Sequence, residues 1–117
     1  MAYDRGLEER LCEYFQGRPD LDIRKMFGGL CFLLSEHMCC VIVGDELMVR
    51  VGPKDYEKYL AKPYAREMDF TGKPIKTMVY VASAGLESDE ELNGWLSVCM
   101  SFAESLPPKR PKLKNSQ

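Results

Sequence analysis

Apolar positions along the chain switch between a helical and a strand period, and each switch marks an element. Tyr3, Leu7, Leu11, Tyr14 and Phe15 recur at helical spacing, while Arg5, Glu8, Glu9, Arg10 and Glu13 fill the opposite face. Asp4 suits the N-cap, and Gly17 with Pro19 stops the run, so the spacing predicts a helix over 4–16. The period then changes. Leu30–Leu34, Met38–Val43 and Leu47–Val51 are short β-rich runs joined by the polar turns Ser35-Glu36-His37 and Gly44-Asp45-Glu46, the pattern of an antiparallel meander. Gly28-Gly29 precedes the first run and reads as a bend or bulge.

Gly52-Pro53 announces a short helix over 53–61, edged by Tyr56, Tyr59 and Leu60 and ended by Pro63. Arg66–Phe70 and Met78–Ala82 read as two more strands, a hairpin around Thr71-Gly72-Lys73-Pro74. Ser88-Asp89-Glu90-Glu91 is a capping box, and Leu92, Trp95, Leu96, Cys99, Phe102, Ala103 and Leu106 carry a helical stripe up to Pro107-Pro108. The order αβββαββα predicts an α+β domain over 1–106, a five-stranded antiparallel sheet with its helices mainly on one side. Residues 107–117 are expected to form a basic, proline-rich, disordered tail.

A chain of 117 residues with 45% hydrophobic and 29% charged side chains is one globular domain, too small for a doubly wound nucleotide-binding fold or a barrel enzyme. The net charge of −2 is unevenly placed. Lys109, Arg110, Lys112 and Lys114 make the tail +4, which leaves the body at −6. An acidic body repels a phosphate backbone, so direct DNA binding is expected to be weak and confined to the tail, with Arg24 and Lys25 as the accessory cations. No run is long and apolar enough for a membrane span or a secretory signal, and the protein is expected in the cytoplasm. Five cysteines without framework spacing fit reduced thiols there.

Little in the chain suggests catalysis. His37, the only histidine, sits on a hairpin tip and is expected to be exposed and idle. Gly28-Gly29 precedes a strand rather than a helix, which excludes a phosphate cradle. Cys39 and Cys40 are consecutive in a strand and should face opposite ways, so no shared metal site is expected. A three-residue loop puts Cys31 opposite Val41, and a two- or four-residue loop puts it opposite Ile42; neither pairs it with another cysteine. No cation is evident that would activate a thiol. Neither metal nor cofactor is expected. Alternation instead places Met48 and Arg50 on the sheet face away from Leu47, Val49 and Val51, and Arg66, Met68 and Phe70 on one face of the next strand. These five residues are the candidate interaction surface, covered by the short helix or by a partner subunit, with Arg50 paired to Glu67 or Asp69 as the plainer alternative.

The runs Arg24–Gly29, Leu47–Pro53, Ala65–Pro74 and Met78–Val81, with the closing Phe102–Lys109, resemble the N-terminal domain of the TfoX/Sxy family in order and over residues 10–109. The resemblance implies a small α+β domain of secretion-chaperone-like shape. It also implies kinship with bacterial regulators of natural competence, which help the cyclic-AMP receptor protein to activate a special class of promoters. Those regulators carry a second, helical C-terminal domain, whereas this chain is expected to act as the N-terminal domain alone. The function expected is thus a non-enzymatic protein-interaction module in transcriptional control, with a partner in the transcription machinery or a second copy of itself. Two rivals stand beside it: a small thiol-dependent enzyme or redox sensor using Cys31, Cys39 or Cys40, and a weak nucleic-acid binder acting through the tail.

Overall fold

A computed structural model describes residues 4–26, 28–67 and 76–107. Helix α1 (Arg5–Tyr14) starts where its capping residue dictates, since the Asp4 carboxylate accepts from the Gly6 and Leu7 amides. Six strands follow or interleave: β1 (Leu21–Met26), β2 (Gly29–Leu34), β3 (His37–Val43), β4 (Glu46–Arg50), β5 (Ala65–Glu67) and β6 (Met78–Val81). Helix α2 (Tyr56–Leu60) joins β4 to β5, and a 3-10 turn (Ser83–Leu86) leads from β6 into helix α3 (Asp89–Ser105). At the start of α3, Ser88 Oγ accepts from the Glu91 amide, the half of the capping box that satisfies an orphan donor.

All strand pairs are antiparallel, in the sheet order β1-β2-β3-β4-β6-β5. The α+β class is as expected, but the sheet has six strands rather than five. The added strand is β1, an edge strand whose Leu21 and Ile23 alternate with Asp22 and Arg24. Such charges keep an edge from pairing with foreign strands, and they also hide its period. Helix α2 begins three residues later than Pro53 suggested, after Asp55. Of the expected strand Arg66–Phe70, Met68, Asp69 and Phe70 lie outside the described residues, as do the hairpin loop at 71–75 and the tail from 108 onward.

Helices α1, α2 and α3 cover one face. Leu7, Leu11 and Phe15 of α1, Tyr56 of α2 and Leu92, Trp95, Leu96, Cys99 and Ala103 of α3 pack on Phe32, Ile42, Leu47, Val49, Val79 and Val81. Phe15 stacks on Phe32 with ring centroids 6.1 Å apart. Side chains of this kind contribute roughly 1.5–3 kcal/mol each on burial, so this layer dominates stability.

The β2–β3 hairpin sets the geometry around it. Leu34 pairs with His37, leaving the two-residue turn Ser35-Glu36, and both turn residues have positive φ (50° and 70°). That conformation costs non-glycine residues roughly 1–2 kcal/mol each. Asp20 holds the turn: its carbonyl accepts from the Ser35 amide and its carboxylate from the Ser35 hydroxyl, both at 2.9 Å. Arg18 grips the Asp20 carboxylate through Nε and Nη2 and reaches Glu104 on α3 at 2.6 Å. His37 is 7% exposed rather than an open tip residue, because its Nε2 lies 2.7 Å from the Pro107 carbonyl oxygen.

Gly29 shows why the β1–β2 connection is glycine-rich. A Cβ there would lie 2.0 Å from the Ile42 carbonyl oxygen, a backbone atom that cannot step aside, while Gly28 takes φ +73° in the turn. Gly29→Ala should therefore cost about 1–3 kcal/mol or more in chemical denaturation. Gly94→Ala, at a helix position open to space, should instead gain roughly 0.5–1 kcal/mol. The Arg18 bonds hold the Asp20 carboxyl down at about 2, below its ordinary 3.8. A depressed carboxyl stabilises the fold above its unfolded value and loses that contribution as pH falls through the folded one. Stability should accordingly decline between about pH 4 and pH 2. Asp20→Asn, followed by thermal melts across that window, should remove this part of the decline.

Candidate functional site

Three places in the structure gather side chains capable of recognition or chemistry. The first is the sheet face opposite the helices. Register aligns Arg24, Cys31, Val41, Met48, Tyr80 and Arg66 in one row across all six strands. The inner members join Leu33 and Met78 in a second buried cluster. Of the candidate surface residues, Met48 and Arg66 are brought together in this row through Tyr80, whose ring lies 4.6 Å beneath the Arg66 guanidinium. Met48 is fully buried and offers a partner no area. Arg66 stays exposed and binds the Glu46 carboxylate with two nitrogens. Arg50 turns away from the row: its Nη1 donates to the Met38 carbonyl at 3.2 Å and its guanidinium lies over Phe102 of α3 at 5.2 Å. Helix α2 does not cover this face, since Tyr56, Tyr59 and Leu60 belong to the helix-side core. Arg24 pairs with neighbouring Asp22 at 2.7 Å. Met68, Phe70, Lys109, Arg110, Lys112 and Lys114 lie outside the described residues.

The second place was not anticipated. A groove of about 480 Å³ runs between the α2 end of the chain and the first half of α3. Tyr59 and Trp95 form part of its wall with ring centroids 5.9 Å apart, and Lys58, Lys62, Glu90 and Glu91 supply charge of both signs. Tyr64 lies along it, 54% exposed, and holds φ +69°. Its backbone is pinned there by the bond from the Ala82 amide to its carbonyl, and its Cβ packs so close over Gly85 that a side chain on Gly85 would collide at 2.9 Å. A left-handed aromatic residue is a genuine outlier, costing roughly 1–3 kcal/mol. Gly94 borders the same groove, and a Cβ on it would meet nothing. The visible signal for this site was a glycine beside Trp95 in the middle of an otherwise well-formed helix. The left-handed Tyr64 left no trace in residue type.

The third place is a thiol cluster. Leu33 pairs with Met38 but Phe32 pairs with Cys40, so Cys39 is an extra residue in β3. The bulge turns Cys39 and Cys40 both into the helix-side core, where Cys99 of α3 meets them. The expectation that these two would face opposite ways is thereby corrected: it holds for a regular strand, not for a bulged one. Cys39 and Cys99 sulfurs are 2.8 Å apart, and the Cys99 thiol reaches the Leu96 carbonyl at 3.3 Å. The same bulge leaves Cys31 opposite Val41, on the other sheet face and away from the cluster. The sulfur contacts with Cys40 and Cys99 lower the Cys39 thiol below its ordinary value, with Arg18 and Arg50 adding positive field. The Cys39 contact and burial push Cys40 up, and burial first of all pushes Cys99 up. The cations that sequence reading could not name are thus Arg18, from the α1–β1 connection, and Arg50, at the end of β4. Burial raises the Cys31 thiol to about 11, and Cys12 is raised by burial with help from Glu8 and Glu9.

An open antiparallel sheet layered on one side by helices, with no helix among the described residues long and apolar enough to cross a membrane, defines a small α+β domain. The TfoX N-terminal domain profile matches residues 13–103, and the chain belongs to that family. No curated protein matches it.

Burial orders the thiols. Alkylation of the native protein at neutral pH should label Cys12 first, more slowly than a free cysteine, while Cys31, Cys39, Cys40 and Cys99 react only on opening. Mass mapping of labelled peptides over time checks this, and Cys12→Ser should abolish the early phase.

Proposed function

We propose that the chain is a non-enzymatic docking module whose α2–α3 groove receives a protein of the transcription machinery, in the manner of a competence-type co-regulator. The observation that carries this reading is Tyr64, held exposed at the groove in a conformation that folding alone does not favour. An exposed aromatic fixed in a strained conformation beside Tyr59 and Trp95 is the kind of anchor on which interface energy concentrates. Gly94 supports it, because a bare helix position beside that anchor allows another backbone to approach closely.

Membership of the TfoX N-terminal domain family supports interaction over turnover. So does the occupation of the single histidine, whose ring nitrogen is engaged by the Pro107 carbonyl. A strand-paired homodimer through β1 is disfavoured by Asp22, Arg24 and Lys25 on that edge.

Stability and binding should separate in two variants. Tyr64→Gly relieves the strained φ and should leave the melting temperature unchanged or raised, yet weaken the partner by about 30-fold, the equivalent of a 2 kcal/mol anchor. Gly94→Leu should keep the fold and block the groove. The measurements are affinity for RNA polymerase bound with the cyclic-AMP receptor protein on a promoter that requires it, and output from that promoter in cells. If both variants bind and activate like the unaltered chain, groove docking is wrong.

A further inference from the structure

A bulge is a costly way to place two ordinary core residues. In a regular β3, Cys39 and Cys40 would point to opposite sides of the sheet. The inserted residue instead brings both to one side, under Cys99 of α3, and all three sulfurs lie within 4.8 Å of one another. Metal–sulfur bonds of about 2.3 Å place the sulfurs of a trigonal or tetrahedral site about 4 Å apart, a spacing within the 4.8 Å span of this cluster. Among the described residues no histidine or carboxylate joins the three, and all three cysteines are fully buried. A four-coordinate zinc ion would want a further donor. A soft ion content with three sulfurs would not.

We propose that Cys39, Cys40 and Cys99 form a binding site for a soft monovalent cation, copper(I), bridging β3 and α3. Binding exchanges protons for the ion: copper bonds to the three sulfurs, the displaced thiol protons pass to solvent, and no electron is transferred. Cys31 and Cys12 take no part, the first on the opposite sheet face and the second half-buried on α1, outside the three-sulfur cluster. The proposal is independent of the groove and survives whether or not Tyr64 proves to be an anchor.

The test titrates the full chain, reduced and free of oxygen, with copper(I) buffered by bicinchoninate. The expected result is one copper(I) retained per chain against the chelator, a rise in melting temperature on loading, and an X-ray absorption shell of three sulfurs. Cys99→Ala should weaken retention by about 100-fold or more, since even outer-shell groups are worth about 10–100-fold. Cys31→Ser and Cys12→Ser should bind as the unaltered chain does. The sulfur count on the unaltered chain decides the matter even where a core variant fails to fold. Loss of all copper to the chelator, a shell of fewer than three sulfurs, or retention indifferent to Cys99→Ala would overturn the site. So would a Cys39–Cys99 disulfide that persists in the reduced chain and leaves Cys40 alone.

Discussion

One inserted residue in the middle of β3 governs much of this molecule. With Cys39 in place, the hairpin tip follows one register and the body of the sheet another, so the row from Arg24 to Arg66 aligns only because the bulge absorbs the mismatch. Without it, the turn at Ser35-Glu36, one residue earlier than a two-residue loop that would set Cys31 opposite Ile42, would put Cys31 opposite Cys40, a cysteine pairing the expected registers did not include. It would also throw every inward side chain of β3 beyond the bulge onto the wrong face. The strained turn at Ser35-Glu36 belongs to the same device. It is held by Asp20 and Arg18, and Arg18 carries the hold across to Glu104 on α3. Hairpin, first connection and last helix are therefore fastened at one end of the sheet by charged hydrogen bonds, which leaves its centre to apolar packing.

How much of this could be read beforehand follows from what each element displays in residue types. Helix α3 announced itself through the Ser88 capping box and an unbroken apolar stripe, and α1 through Asp4 and its charged outer face. Strand β1 was missed because an edge strand buries only part of one side, and its alternation of Leu21 and Ile23 with charges is short. The turn length stayed open between two, three and four residues because Ser-Glu lacks the Asn-Gly signature of tight hairpins. What forces it is Asp20, fifteen residues upstream, a tertiary contact that local pattern does not display. The bulge was hidden for the same reason. Of the two partners considered for Cys31, Val41 is the one found, through a two-residue turn plus an inserted cysteine rather than through a three-residue loop.

The candidate sites fared according to the same logic. Alternation correctly set Met48 and Arg66 on one face, since a strand's period is a local property. It could not say that Met48 would be wholly enclosed, or that Arg50 would bend round to Phe102 and the Met38 carbonyl. Trp95 was legible as a stripe residue and is mostly buried, yet its remaining edge meets Tyr59 at the groove. The groove proposed for docking thus falls at the boundary between core and surface, where a residue's period reveals its burial and conceals its use.

The bond between His37 and the Pro107 carbonyl has a practical reach. It fixes Pro107, two residues past α3, beside the hairpin tip, while the groove lies along the opposite half of that helix. At 1.5 Å per residue, Gly94 and Ser105 at the end of the helix are about 16 Å apart along its axis. A fluorophore or a surface tether attached after Pro107 would therefore start from the far end of the molecule, leaving the aromatic wall of Tyr59, Tyr64 and Trp95 free to face whatever is presented to it.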